Sequence, residues 1–149
     1  RCLWTPASRR ARTDPGRTKI GTLDVDDHRR RPPIRPVLSV RFFRTRTGKE
    51  PVRAWFRSLP TEERRRIGAD LKTVQYGWPV GMPLVRKLSP RLWEVRTRGD
   101  TAALRILFTV GGKTMLLLHA FEKTSAKTPR HELAVAQRRL AQAWSEGAQ

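Results

Sequence analysis

Two stretches of alternating side chains, separated by four residues, constrain the fold of this chain more than any other feature. In residues 92–98 and 103–110, an apolar series alternates with a second series that contains arginines. Period-two alternation is typical of β-strands, and a short loop between two such stretches predicts an antiparallel hairpin. With residues 99–102 as the loop, Arg96 lies directly opposite Arg105.

This pairing brings like charges together on the face of the hairpin that is not expected to pack in the hydrophobic core. Like charges opposite each other destabilise a sheet by a few tenths to about 1 kcal/mol. Keeping Arg96 beside Arg105 therefore favours a role in holding an anion, because guanidinium forks match phosphate oxygens bidentately. Arg98 shares their face. The alternative is that these side chains simply extend into water along a solvated face.

The overall charge favours a polyanionic partner. The chain of 149 residues has 32 Lys+Arg against 13 Asp+Glu, a net charge of +19 and a pI near 11.8, for which nucleic acid is the simplest partner. No apolar run approaches the roughly 18 to 20 residues of a membrane-spanning helix. The single cysteine, Cys2, provides neither an internal disulfide nor a thiolate cluster, so we expect a reducing cytoplasm.

The chain divides near residue 38. Residues 1–38 contain ten Lys+Arg, four Asp and five Pro with scattered apolar positions, and we predict a disordered or loosely attached basic tail. Translation starting near Val37 or Val40 is one hypothesis, which the intact mass of the native product would test. Residues 39–149 keep 22 basic against nine acidic side chains, so the basic character belongs to the predicted domain as well.

We predict that residues 39–149 form an α+β domain of order β-α-α-β-β-β-α, with a small antiparallel or mixed sheet and the helices largely on one side. A strand at 40–44 comes first, followed by a helix that begins with a Thr47/Glu50 capping box and Pro51 in its first turn, and by a second helix after Pro60. The hairpin comes next, and a Gly111-Gly112 turn then leads into an apolar strand at 115–121. A final helix begins after Thr128-Pro129.

The histidines do not form a metal or nucleophile motif. The Gly111-Gly112 turn would place His119 opposite Leu104 on the core face, which favours a hydrogen-bonded core histidine over a catalytic one. His131, near the start of the last helix, is better placed to meet a phosphate, and His28 lies in the tail. We expect no metal and no cofactor, since no Cys/His spacing or carboxylate–histidine cluster is present.

Metal-free RNA cleavage remains open to such a chain because RNA carries its own nucleophile, the 2′-hydroxyl. The protein then has to align that group, accept its proton and stabilise the anionic transition state. Arg96 and Arg105 suit the anion-stabilising role. Lys123 and Lys127 follow the last strand, where they would contact phosphate or, with a lowered pKa, accept a proton.

A family resemblance rests on residues 88–139. The pattern LWEVR, LRILF, GGKTMLLLHAF followed by EK and KTP, and the helix ELAVAQRRL resembles the RelE/HigB superfamily of type II toxin–antitoxin toxins, closest to its phage-derived HigB-like branch. The resemblance extends over Val40 to Ala143. It implies a RelE-like fold, a toxin that cleaves mRNA on the translating ribosome, and a cognate helix-turn-helix antitoxin forming a hetero-oligomer with it.

Carried over by position, the resemblance implies two groups of site residues. Its catalytic group is Arg96, Arg105 and Lys123, and its RNA-binding group is Lys87, Lys127 and His131. Arg98 is added to the RNA-binding group because it shares the face of Arg96 on the hairpin. Two positions depart from the pattern: Leu104 stands where many members have an aromatic residue, and Glu94 where RelE-like members have lysine. A ParE-like inhibitor of DNA gyrase and a non-catalytic nucleic-acid-binding module are the alternative functions.

Overall fold

A five-stranded sheet with three helices makes up the described part of the chain, residues 33–147, in a computed structural model. The elements are β1 (Ser39–Phe42), α1 (Pro51–Ser58), α2 (Thr61–Gly77), β2 (Val85–Ser89), β3 (Leu92–Arg98), β4 (Ala103–Gly111), β5 (Thr114–Lys123) and α3 (Arg130–Ser145). The α+β class is confirmed, but the order is β-α-α-β-β-β-β-α, one strand more than predicted. No helix among these residues is long and apolar enough to cross a membrane.

The additional strand is β2, at one edge of the sheet. It pairs antiparallel with β3, Val85 opposite Val95 and Lys87 opposite Trp93, after a turn in which Arg91 has a φ of 65°. Only Val85 in this strand is buried, because an edge strand packs few side chains. Its five residues therefore carry too little alternation to be recognised from the sequence.

The sheet is mixed, with strand order β1-β5-β4-β3-β2, in which β1 runs parallel to β5 and the other pairs are antiparallel. The predicted hairpin register is confirmed, since Arg96 lies opposite Arg105. The predicted turn between β4 and β5 is wrong by one residue: Gly111 pairs with Thr114, and Gly112, with a φ of +57°, provides the positive φ that a two-residue hairpin turn requires.

The helices cover both faces of the sheet, so the prediction that they lie largely on one side is wrong. Helices α1 and α2 pack Val52, Ile67 and Val74 against one face. Helix α3 packs Ala136 and Ala143 against the other, where β4 and β5 present a second set of buried apolar residues: Leu107, Leu118 and Phe121. Both faces of the central strands are apolar, and a two-sided hydrophobic sheet must be covered twice.

The helix starts also differ from the predicted caps. Glu50, with no capping hydrogen bond from its side chain, precedes Pro51 at the start of α1, so the Thr47 capping box does not form. Pro129 rather than Thr128 caps α3; its carbonyl accepts hydrogen bonds from the amides of Glu132 (3.1 Å) and Leu133 (3.3 Å).

Two residues just before β1 are bonded to α2. The amides of Val37 and Leu38 donate to the Gln75 carbonyl at 2.8 and 3.0 Å, and Leu38 is buried in the core. These two residues, predicted as the end of the tail, therefore pack against α2. The rest of that prediction, for residues 1–32, lies outside the described residues.

Candidate active site

Three adjacent strands bring basic side chains together at one end of the sheet. Arg96 on β3 lies opposite Arg105 on β4, and in the next row Arg98, Ala103 and Lys123 follow one another across β3, β4 and β5. Both rows border an open cleft of roughly 530 Å³, which is also lined by the 99–102 loop and by Pro83, Thr97 and Thr124. Four of the seven predicted site residues thus line one cleft.

A buried carboxylate lies beneath these cations. The Glu94 side chain is 1% exposed, with Oε1 lying 3.5 Å from Arg105 Nε and 3.9 Å from Arg96 Nε. Its other oxygen, Oε2, accepts a hydrogen bond from the Thr128 hydroxyl at 3.0 Å. Glu94 therefore joins two strands to the loop that precedes α3, and it partly neutralises the arginine pair.

Arg105 is the most enclosed of the arginines in the cleft, with only 7% of the residue exposed. Burial lowers its pKa and the nearby charge of Arg96 adds to this effect, while Glu94 opposes it. An arginine nevertheless stays protonated in proteins. Nη1 donates to the Leu104 carbonyl at 3.1 Å, whereas Nε, though close to Glu94, makes no hydrogen bond of good geometry among the described residues.

Lys123 lies at the end of β5 and is 8% exposed. No carboxylate of residues 33–147 lies within 4.0 Å of its amine, in contrast to Arg105. Burial lowers the pKa of Lys123, and the positive charge of Arg105 lowers it further against the opposing effect of Glu94. A lysine amine held in this way loses its proton more readily than an exposed one, which suits it to proton transfer.

The 99–102 loop is fixed to α2 rather than free. Arg66 pairs with Asp100 at 2.6 Å, and the Asp100 amide donates to Glu63 Oε1 at 3.1 Å. Residue 99 must be glycine, because a Cβ there would clash with the Ala102 carbonyl and approach Glu63 Oε1 to 2.9 Å. The loop is thus a firm wall of the cleft.

The other predicted RNA-binding residues lie elsewhere. Lys127 borders a separate groove of about 360 Å³, together with Arg86. The His131 side chain is 77% exposed and pairs with Glu132 at 3.0 Å. Lys87 lies on the opposite face of the sheet from Arg105, with its amine 5.8 Å from the centre of the Trp93 ring. The structure does not bring these three residues into the cleft.

His119 does not lie on the predicted face. It is opposite Leu107, not Leu104, because the shifted turn combines with an irregularity in the pairing of β4 with β5. Its side chain is half-buried beneath α3, where Nε2 pairs with Glu132 and Nδ1 lies 3.3 Å from Arg139 Nη1. Burial lowers the pKa of His119 despite Glu132. The ring holds α3 to β5 and does not border the cleft.

Three residues next to the cleft are not indicated by the sequence alone. Glu94 stands out only as a departure from a family pattern, Thr128 only as a helix cap, and Arg86 not at all, because β2 has too little alternation. Thr128 and Arg86 border the neighbouring groove with Lys127. Arg86 lies opposite Glu94, and its charge contributes to lowering the pKa of Lys123. One signal was available for Glu94: it shares the alternating face of Arg96.

The described residues offer no evident metal site. Among residues 33–147, no three His, Cys, Asp or Glu side chains are grouped where they would hold an ion.

A known family matches most of the described residues. The family described as "Phage derived protein Gp49-like (DUF891)" matches residues 54–141, from within α1 to near the end of α3. The match includes every residue of the cleft and more than half of the chain. No curated protein matches the sequence.

Proposed function

The chain belongs to the phage-derived Gp49-like family, and from that premise we propose that it is a toxin–antitoxin toxin that cleaves messenger RNA. The family membership and the RelE/HigB resemblance support a toxin. The observation that carries the enzymatic proposal is the combination, in one cleft, of Arg105 and Lys123, each less than a tenth exposed.

The proposed reaction uses the 2′-hydroxyl of the RNA as nucleophile. Lys123 in its neutral form accepts the 2′-hydroxyl proton as O2′ forms a bond to the adjacent phosphorus. The bond from phosphorus to O5′ breaks, and O5′ takes a proton from water. The products are a 2′,3′-cyclic phosphate and a 5′-hydroxyl. Arg105 and Arg96 stabilise the phosphorane-like transition state, whose extra negative charge a rigid guanidinium pair matches.

The chemistry of the cleft lining favours dependence on the ribosome. Among residues 33–147, the side chains that line the cleft include no aromatic on which a base could stack. Leu104, at the position where the resemblance leads one to expect an aromatic, is 1% exposed in the core. Without a stacking platform the protein holds RNA mainly by phosphate contacts, which do not fix a base. We therefore propose that a translating ribosome aligns the mRNA in the cleft.

Growth arrest and cleavage of mRNA on translating ribosomes test this proposal. The Arg96→Ala, Arg105→Ala double variant should lose both, while Arg46→Ala, Arg65→Ala should keep both. The control removes the same charge from side chains that are 81% and 74% exposed, outside the cleft. Circular dichroism should show that both variants are folded. Full toxicity of a folded Arg96/Arg105 variant would refute the catalytic assignment.

Two other activities would give different results in the same experiments. A gyrase inhibitor would block DNA supercoiling and leave mRNA intact in primer extension. A binding module without catalysis would retain RNA of unchanged length in the presence of ribosomes. A net positive surface suffices for such binding, so affinity alone does not establish cleavage.

We further propose a cytoplasmic complex with a helix-turn-helix antitoxin. The described domain is strongly basic, and a partner with acidic surface would neutralise the cleft arginines. A gene for such a protein next to this one, and co-purification of the two products, are the expected observations. Purification of the protein without any acidic partner from a host that expresses both genes would count against the pairing.

A further inference from the structure

Glu94 is buried at the point where three segments of the site meet. The carboxylate contacts Arg105 from β4, Arg96 from its own strand β3, and Thr128 from the loop between β5 and α3. A negative charge under a phosphate-binding surface weakens the attraction for RNA, so its presence there calls for another role.

We infer that Glu94 is a positioning residue that holds the Nε edge of Arg105 and so fixes the guanidinium at the wall of the cleft. This inference rests on the proposed function. Arg105 Nε is buried, and Glu94 Oε1, at 3.5 Å, is the carboxylate beside it. Nε makes no hydrogen bond among the described residues, so the ion pair with Glu94 is the contact that holds this edge of the guanidinium.

The arginine pair needs this carboxylate because its members repel each other. Arg96 and Arg105 are directly opposed across β3 and β4, where side chains come closest. Without the shared Glu94 the two guanidinium groups would separate, Arg96 into solvent and Arg105 away from its fixed geometry. Thr128 in turn holds the second carboxylate oxygen and so orients Glu94 itself.

A positioning role predicts opposite effects on binding and on chemistry. Glu94→Gln keeps the shape and removes one negative charge, so it should tighten binding of single-stranded RNA by about threefold at physiological salt. The same variant should slow cleavage of bound RNA by roughly tenfold or more, since a misaligned donor loses transition-state stabilisation. A residue that merely supports the fold would lower binding and cleavage together.

The test measures three quantities in the full chain. Binding is measured with a 2′-O-methyl RNA oligonucleotide, which cannot be cleaved; cleavage is measured on programmed ribosomes; and the orientation of Arg105 is followed by the ¹⁵N–¹H signal of its Nε–H group. Glu94→Gln should shift and broaden that signal. Weaker binding with an unchanged cleavage rate per bound RNA, or an unchanged Nε–H signal, would overturn the inference.

A matched pair at Thr128 keeps the test informative if Glu94→Gln does not fold. Thr128→Val removes the hydroxyl that holds Glu94, so it should shift the Arg105 signal and slow cleavage as Glu94→Gln does. Thr128→Ser keeps a hydroxyl and should leave the signal and the cleavage rate as in the wild-type protein. Equal behaviour of the two variants would overturn the inference. Absence of cleavage by the wild-type protein would instead refute the proposed function. The change in the Arg105 Nε–H signal in the variants would still test whether Glu94 positions Arg105.

Discussion

Replacing Arg105 by methionine should destabilise the domain through Glu94. Arg105→Met keeps most of the aliphatic stem and removes the guanidinium. At 3.5 Å the lost Coulomb attraction is about 5 kcal/mol with an effective dielectric constant of about 20. Part of this attraction only offsets desolvation, and Arg96 and Thr128 still contact the carboxylate. We therefore expect a loss of about 3 kcal/mol in the free energy of unfolding, the lower end for a broken buried pair.

A double-mutant cycle in urea isolates the charge interaction. The Glu94→Gln, Arg105→Met variant should lose at least about 1 kcal/mol less free energy of unfolding than the two single variants lose together, because it leaves no uncompensated carboxylate. With a slope of roughly 1.5 kcal/mol per M, the Arg105→Met midpoint should fall by about 2 M.

The matched control is Arg98→Met, an exposed arginine on the same hairpin with no carboxylate of the described residues within 4.0 Å. It should change the free energy of unfolding by less than about 0.5 kcal/mol. Additive single effects in the cycle, or an equal loss of unfolding free energy in Arg98→Met, would show that the ion pair between Glu94 and Arg105 does not stabilise the domain. The result also matters for toxicity assays, because loss of growth arrest in an Arg105 variant requires proof of folding.

Three further predictions follow from the same structure. Burial and Arg105 lower the pKa of Lys123, so cleavage should rise with pH and level off below 10.5. A cleavage rate that falls as pH rises through this range would exclude Lys123 as the base. Gly99→Ala should destabilise the domain by about 1–3 kcal/mol in urea, whereas Gly112→Asn, at a turn with open space, should be nearly neutral; equal losses would contradict the clash. Burial lowers the pKa of His119 below 6.5, so the unfolded chain takes up a proton at a higher pH than the folded chain does. The free energy of unfolding should therefore fall as pH drops below 6.5 toward the lowered pKa. His119→Gln should remove this component from acid-unfolding curves.

Most of the local structure could be predicted because it is encoded in short patterns. The alternation of β3 and β4 and the four-residue loop fixed their register, which depends only on counting residues from the loop. The turn between β4 and β5 could not be fixed in this way, since two adjacent glycines allow two positions for the residue with positive φ. The one-residue difference alone would pair His119 with Ile106, on the same face as Leu104; the irregularity between Leu107 and Phe108 pairs it with Leu107 and so places it on the face of α3.

Only part of the site could be predicted from the sequence, because strand register relates some of its residues to one another and not the rest. Arg96, Arg98, Arg105 and Lys123 are close in space because neighbouring strands of known register carry them. Lys127 and His131 lie beyond the last strand, where no register relates them to the sheet. Their placement depends on how α3 packs, which no local pattern shows.

By itself the sequence determined the basic character of the domain, the hairpin and the arginine pair across it, since charge and strand periodicity are properties of the chain. The tertiary structure alone decided that α3 covers the arginine-bearing face and that Glu94 is buried beneath the cations. Burial changes what these groups do: the same lysine and carboxylate on a solvated surface would be ordinary charges. Burial lowers the pKa of Lys123, and the Thr128 hydroxyl holds Glu94, because removing water destabilises an uncompensated charge and strengthens each electrostatic contact.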